Sequence, residues 1–412
     1  DLLPEVFKAE LRRQWNQWLG ARHGTTGRLR QAWNDGEQAL GEEMLAALGS
    51  GVGLDEWGLQ NNAGAQSSMA LTDDVPAALR GEGATTKALH LEVTKQGTGP
   101  WHVLLNRPGF AVVADTAYTL TFWAKTDAAC TMRVRLAQCQ KPWRNLSPVH
   151  SAELTTEWQR FRFVVTAPET EADARIMIGD LGSRLGSYWL TAVSLKPGGI
   201  LGLGDQERID DGSVALFPFA HHGERTPAAS RDWLQFLHQT ENGYWHDMYR
   251  YLKDELNVKA VIIGTAAQWS TPNLMAGMDC VDAHAYWQHP QFLSARRGAG
   301  PWRVQNLSMV NDTGGVLAKL ARRRLLNKPF SVTEYGTPSP NTHSGEGLVL
   351  VGAYAALQDW DYISISRYTL QTNDSYTWGS GKFRGFFDID QHPTKMIGFI
   401  PAVAMFQRGD VQ

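Results

Sequence analysis

The chain has 412 residues, 43% of them hydrophobic, which is too long for one ordinary domain and enough for two or three sizeable cores. A formal charge of -3 and a pI near 6.5, with no basic run or stripe, argue against a nucleic-acid partner and for a neutral or nearly neutral substrate. No run of about 18 apolar residues occurs, so no membrane-spanning helix is expected.

Residues 1–48 read as helices. Phe7, Leu11, Trp15, Trp18 and Leu19 recur at helical spacing between charged residues, Pro4 suits a first turn, and Gly24 breaks the pattern. Thr25 or Thr26 can cap a second helix carrying Leu29, Ala32 and Trp33. Near residue 49 the texture changes, and across 49–199 the apolar period is two. The segments 88–94, 118–124, 132–136, 159–165 and 188–195 alternate this way, separated by Gly, Asp and Thr turns. Short strands at regular intervals predict an antiparallel β-sandwich of jelly-roll type.

Residues 200–412 change register again. A helix is expected over 231–256, with Trp233, Phe236, Leu237, Tyr244, Met248, Tyr251 and Leu252 on its apolar side. Short apolar strands follow at 260–264, 280–284, 329–334 and 362–366, interleaved with helices over 315–326 and 346–359. Strands too apolar to face water, alternating with helices, predict a parallel sheet. Four of them correspond to half of a (β/α)8 barrel, with the sandwich inserted between barrel elements.

Chemistry concentrates at strand ends. Val332-Thr333-Glu334-Tyr335-Gly336 ends an apolar strand in a carboxylate ahead of a Gly/Pro-rich loop. In a barrel such a residue faces the catalytic mouth and can attack an anomeric carbon; otherwise it merely ends a strand against a Lys or Arg. In Asp282-Ala283-His284-Ala285-Tyr286-Trp287-Gln288-His289-Pro290, His284 and Tyr286 alternate onto the same side. Tyr286 can hydrogen-bond a nucleophilic carboxylate and His284 a sugar hydroxyl, while Asp282 suits a buried structural role and His289 a loop. Trp269, Trp287 and Trp378 are sugar-platform candidates, Arg367 or Tyr368 would point inward at the last strand, with both kept as substrate-binding candidates, and His222 and Glu224 lie in a loop that can reach the cleft. Core packing and surface solvation are the plainer roles for these residues. No metal-ligand spacing occurs. The 16 Trp serve either sugar stacking or cores. Cys130, Cys139 and Cys280 form no disulfide framework, so buried free thiols are expected, with a Cys130–Cys139 bridge as the alternative.

Together these segments resemble the cellulase-type clan A glycoside hydrolases. The resemblance rests on Thr333-Glu334-Tyr335, on Asp282, His284, Tyr286 and Trp287, and on Gln358-Asp359-Trp360-Asp361. Trp15, Asn16, Trp18, Leu19, Arg22, His23, Gly24, Thr25, Leu29, Ala32 and Trp33 add to it, as do Ala402, Met405, Phe406, Arg408, Gly409 and Asp410. It covers 1–48 and about 200–412. It implies a retaining mechanism with Glu334 as nucleophile on a β-linked glycan. The acid/base Glu of this group follows an Asn at the end of strand four, which would precede Asp1. The chain is therefore expected to be part of a larger catalytic domain, its other half-barrel upstream in the same protein or on another chain. Glu241 lies within an amphipathic helix and reads as structural.

The segment 49–199 resembles jelly-roll carbohydrate-binding modules, through Gly99-Pro100-Trp101-His102-Val103 and the run 118–125. Trp101, Gln138, Trp143, Arg144 and Asn145 are the ligand candidates; the alternative is that Trp123 and Trp189 are core and the module only shapes the cleft or packs on the barrel. Modules of this kind often hold a structural Ca2+, although no loop here is dense enough in Asp to demand one, and no cofactor is otherwise called for. The alternative to an enzyme is a non-catalytic carbohydrate-binding protein that uses the sandwich and the barrel cleft. Asp1-Leu2-Leu3-Pro4-Glu5 is no signal peptide, but a processed secreted chain would also lack one, and a secreted or periplasmic bacterial setting is expected.

Overall fold

The computed structural model describes residues 3–45, 54–80, 87–218, 223–266, 270–293, 301–369 and 385–411. Two compact units divide the chain, Asp1–Phe236 and Leu237–Gln412. The segment 200–236 thus groups with the first unit rather than with the parallel sheet.

In the first unit, α1 (Glu5–His23) begins after Pro4 and stops where Gly24 turns to a φ of 76°. Helix α2 (Thr26–Trp33) is capped by Thr25, whose hydroxyl accepts from the Arg28 N–H at 3.3 Å. Trp15 and Leu19, four apart, are fully buried with Leu29 and Trp33. Phe7, expected on the same stripe, is 60% exposed, so the apolar face fades towards the N-terminus. The Trp15 ring stacks on Trp18 and Trp33 and meets Phe217, Trp233 and Phe236 within 6.0 Å. Trp233 and Phe236 come from the first turns of α3 (Pro227–Arg250). Buried Asp232 joins the cluster: the Trp33 indole donates to it at 2.8 Å, and His23 and Arg22 lie at 2.7 and 3.0 Å. Each partner removes part of the cost of burying that carboxylate.

The sandwich has ten strands: β1 (Gly58–Asn61), β2 (Gln66–Thr72), β3 (Ala88–Lys95), β4 (Val103–Val112), β5 (Ala117–Thr126), β6 (Cys130–Gln138), β7 (His150–Leu154), β8 (Gln159–Thr166), β9 (Glu171–Gly179) and β10 (Gly186–Pro197). They form two five-stranded antiparallel sheets, ordered β1-β4-β9-β6-β7 and β2-β3-β10-β5-β8. Alternation turns Met132, Val134 and Leu136 of β6, Ile176 and Ile178 of β9, and Leu120 and Phe122 of β5 into one shared core. Trp123 and Trp189 are not in that core. Both stand on the outer face of the second sheet, where Trp189 stacks on His90 at 4.7 Å and the Lys125 ammonium lies over its ring at 5.0 Å. The odd-even phase of β5 and β10 places them there, since their neighbours Phe122 and Leu190 point inward. All three cysteines are free, Cys280 buried and the other two half-buried.

The chain enters and leaves the sandwich side by side. Gln38 bridges Ile200, the Gly41 N–H donates to Pro197 at 2.8 Å, and the Met44 N–H donates to Leu195 at 2.9 Å. Gly198 makes this close pass feasible. Its φ is 84°, and a Cβ there would fall 1.9 Å from the Ala39 carbonyl oxygen.

The second unit continues α3 through a π-turn, Tyr251–Glu255, so the helix predicted for 231–256 starts earlier and ends in a widened turn. Its parallel sheet is β11 (Val281–Tyr286), then β14 (Phe330–Gly336), then β15 (Tyr362–Ile365), and a two-residue antiparallel pair, β12 (Gln291–Phe292) with β13 (Trp302–Arg303), lies between in sequence. The helices are α4 (Val316–Ala321), α5 (Glu346–Leu357) and α6 (Pro393–Arg408). Among the described residues the sheet is open and closes no ring. The expected strand at 260–264 supplies one parallel bridge, Ile263 with Cys280. Val261 there is 71% exposed, and the Ile262 N–H donates to the Asp279 carboxylate rather than to a strand. The helix predicted over 315–326 keeps six residues before Asn327 turns to a φ of 60°.

Candidate functional site

Three parallel strands bring one polar cluster together in the second unit. Ladder irregularities between Ala283 and His284, and between Val332 and Tyr335, re-aim the strand ends and set His284 opposite Glu334. Glu334 keeps 44% of its side chain exposed. The Tyr286 hydroxyl donates to Glu334 Oε2 at 2.5 Å, and His284 Nδ1 lies 3.5 Å from the same oxygen. Burial pushes the Tyr286 hydroxyl above its ordinary pKa, and the carboxylate it faces pushes it further, so it remains a donor. Its ring packs on Phe387 at 4.5 Å and on His289 at 4.8 Å. Gly336 allows that packing, since a Cβ would meet the Tyr286 ring at 3.2 Å.

Behind the cluster sits Asp282, buried. It accepts from the Ser331 hydroxyl at 2.5 Å, the Thr333 N–H at 3.1 Å and the Thr333 hydroxyl at 2.6 Å. The Thr333 hydroxyl gives its only proton to Asp282, so at 2.7 Å it accepts from His284 Nε2. Asp282, Thr333 and His284 therefore form a chain that orients the ring towards an exposed carboxylate.

The other strand-end candidates fare unequally. Arg367 approaches Tyr286 closely enough to act on its ionisation and lies 3.9 Å from Asp388. Tyr368, 54% exposed, lines an apolar groove of about 280 Å³ with Ile363, Ile389 and Phe406, away from Glu334. Trp287 is no platform: it is buried, and its indole donates to the Leu307 carbonyl at 3.1 Å. Glu224 belongs to the first unit, ion-paired with Arg162 of β8. Glu241 accepts from the Trp245 indole and the Ser270 hydroxyl, a structural arrangement. His222, Trp269 and Trp378 lie outside the described residues. Sequence reasoning gives Ser331 and Phe387 no place in the site, and it names Thr333 within the strand-end motif without a role of its own. The alternation of β14 put Ser331 and Thr333 on one face and offered a signal for those two.

The sandwich candidates also separate. Trp143, 50% exposed, stands at a φ of 61° in the loop after β6, with the Arg175 guanidinium 5.3 Å from its ring centre. Trp101, 60% exposed, sits edge-on to His102 just before β4. Asn145 is exposed beside Ala137 of β6. Arg144 pairs with Glu169 at 3.0 Å. Gln138 is not a ligand contact: it is buried, its amide donates to Glu171 at 2.8 Å and its oxygen accepts from the Arg144 N–H at 3.0 Å, which pins the loop. Among the described residues no three His, Cys, Asp or Glu side chains gather to hold a metal. Nor is any described helix long and apolar enough to cross a membrane.

Residues 53–179 match a family model described as a carbohydrate binding domain. The match lies wholly within the first unit and gives the sandwich its class: a carbohydrate-binding-module-like antiparallel fold. Solved structures similar to the chain include a CBM4 structure, at 23% identity over 38% of this chain and 94% of the other, with a TM-score of 0.29. Another is the N-terminal cellulose-binding domain of a Cellulomonas fimi β-1,4-glucanase C, at 21% identity over 37% and 96%, TM-score 0.27. A third is a family 11 carbohydrate-binding module of Clostridium thermocellum in complex with a β-1,3-1,4-mixed-linked tetrasaccharide, at 15% identity over 38% and 96%, TM-score 0.27. No curated protein matches the chain.

Proposed function

We propose that the chain is a secreted or periplasmic carbohydrate-binding protein that holds a glycan on its sandwich. The carbohydrate binding domain match over 53–179 carries this reading, and the half-exposed Trp143 beside Arg175 supports it with a ring face for a sugar. The test is affinity electrophoresis of the full chain through gels holding a panel of glycans. Retardation in at least one gel, weakened about tenfold in Trp143→Ala, is the expected result. Free migration in every gel would overturn the reading.

A second reading, a retaining glycoside hydrolase acting on β-linked glycans, is favoured by one observation in the second unit. Glu334 lies near the C-terminal end of a parallel strand, with its side chain partly exposed and hydrogen-bonded by Tyr286, an arrangement suited to nucleophilic attack on an anomeric carbon. A half of a (β/α)8 barrel is the architecture this reading implies, and the parallel order β11-β14-β15 supports it. An activated 2-deoxy-2-fluoro glycoside tests the nucleophile alone, because its leaving group departs without an acid catalyst. Mass spectrometry should find the glycosyl adduct on the peptide holding Glu334 and none in Glu334→Gln. An adduct on a different carboxylate, or none, removes Glu334 from the chemistry.

A further inference from the structure

The outer face of the β1-β4-β9-β6-β7 sheet carries an unusual charge arrangement. Because Met132, Val134 and Leu136 of β6 point into the core, Arg133, Arg135 and Ala137 point out. By the same alternation Arg175 and Met177 of β9 and Asn106 of β4 point out. The register sets Arg135 opposite Met177 and Ala137 opposite Arg175, so the two arginines are diagonal neighbours. Asn106 lies on the far side of Met177.

Arg133 is paired with Asp180 at 2.9 Å. Arg135 and Arg175 have no such carboxylate among the described residues. Both are half-buried, and the Nε–H of each is buried with no acceptor. The side-chain contact Arg135 does make is to the Met177 sulfur at 2.8 Å, a weak acceptor. The Asn106 amide oxygen is buried and unpartnered too. Burial, with a push from the Arg135 charge, holds the Arg175 guanidinium below its usual pKa. Two like charges kept together with unmet donors cost stability, and an anion from outside would relieve that cost. Next to them Trp143 stands in a left-handed conformation that side chains rarely adopt, with half its surface open.

We propose that this face binds a carboxylated glycan, a chain containing uronic acid residues: Arg135 and Arg175 grip the sugar carboxylate, the Asn106 amide oxygen accepts from a hydroxyl, and Trp143 stacks on the ring. Planar guanidinium forks match carboxylates, and a Trp face matches a pyranose. The inference rests on the carbohydrate-binding reading and narrows it, because the net charge of the whole chain pointed to a neutral ligand.

The test measures binding of the full chain to polygalacturonate, alginate and a glucuronoxylan, each alongside its carboxyl-reduced counterpart, which keeps the backbone and replaces each carboxylate by a hydroxymethyl. At least one carboxylated polymer should bind ten times or more tighter than its reduced form. That preference should collapse in Arg135→Gln and in Arg175→Gln at unchanged melting temperature. Arg135→Lys, which keeps the charge and loses the fork, should lose part of it, and serves if a Gln variant fails to fold. Equal binding to native and reduced polymers, unaffected by the Arg variants, overturns the uronate assignment and leaves carbohydrate binding standing. Binding of dextran sulfate as tight as that of the uronates overturns it as well, in favour of general polyanion attraction. No binding to any glycan, neutral or acidic, overturns both readings together.

Discussion

At the residue scale, Tyr286 and Asp282 show how differently two polar groups around one carboxylate act. Tyr286 donates directly to Glu334. On the hydrolase reading, Tyr286→Phe removes a hydrogen bond to a charged group, worth roughly 1.5–3 kcal/mol. The rate of Glu334 labelling by the fluoro glycoside should fall by about 10- to 100-fold with the fold unchanged. Asp282 touches no open surface and anchors three donors from β14. Asp282→Ala strands those donors in the interior, so the unit should lose about 2–4 kcal/mol in a denaturant titration. Lys395 is a third case. Its buried ammonium donates to the Thr337 carbonyl at 2.7 Å, and burial lowers its pKa to about 8. A group whose folded pKa lies below its unfolded value holds fewer protons folded than unfolded. Stability should therefore rise with pH between about 8 and 10.5, by up to about 3 kcal/mol, and the rise should flatten in Lys395→Met. Melting temperatures of both proteins across that range check it.

At the element scale, the legible parts were those where one face is buried and the other wet. The alternation of 118–124 and 132–136 marked β5 and β6 because each strand has a core side and a solvent side. The same logic would have turned Trp123 outward, but a large apolar ring invites assignment to the core whatever its phase. The run 260–264 was misleading for a related reason: apolar composition alone does not show whether a neighbouring strand is present to pair with. Of the polar cluster, the sequence disclosed Glu334, His284 and Tyr286 through their strand-end positions. The role of Thr333, named only as part of the motif, was not legible because it lies in a contact with a residue 51 positions away. Arg135 and Arg175 escaped on similar grounds: their adjacency exists only once β6 and β9 are in register. The crossing at Gly198 is a further element-level constraint. Gly198→Ala should cost at least about 2 kcal/mol, from the left-handed backbone and the collision with Ala39, read as a lowered melting temperature.

At the scale of the whole molecule, the sandwich joins the helical layer of its own unit through two adjacent segments of chain, around Gln38 and around Ile200. Asn34 accepts from the Leu203 N–H at 3.2 Å, and the Thr226 hydroxyl donates to the Trp33 carbonyl at 2.6 Å, so the helical layer is joined on both sides of the module. A fragment of residues 36–202, with its two ends already paired at Gln38 and Ile200, should fold by itself, melt cooperatively and keep the glycan affinity of the full chain. Separate melting of fragment and parent with unequal affinities would show that the module draws stability from the helices.

The shared doorway at Gln38 and Ile200 also couples formation of the module to formation of the helical layer. Asn34 and Leu203 are 169 residues apart along the chain. Once the module has formed, the path between them shrinks to about seven residues, which removes roughly 2–3 kcal/mol of closure entropy. Each half thus lowers the entropy cost of closing the other, and variants that destabilise the module should also loosen the burial of Trp15 and Trp33, read by tryptophan fluorescence during denaturation.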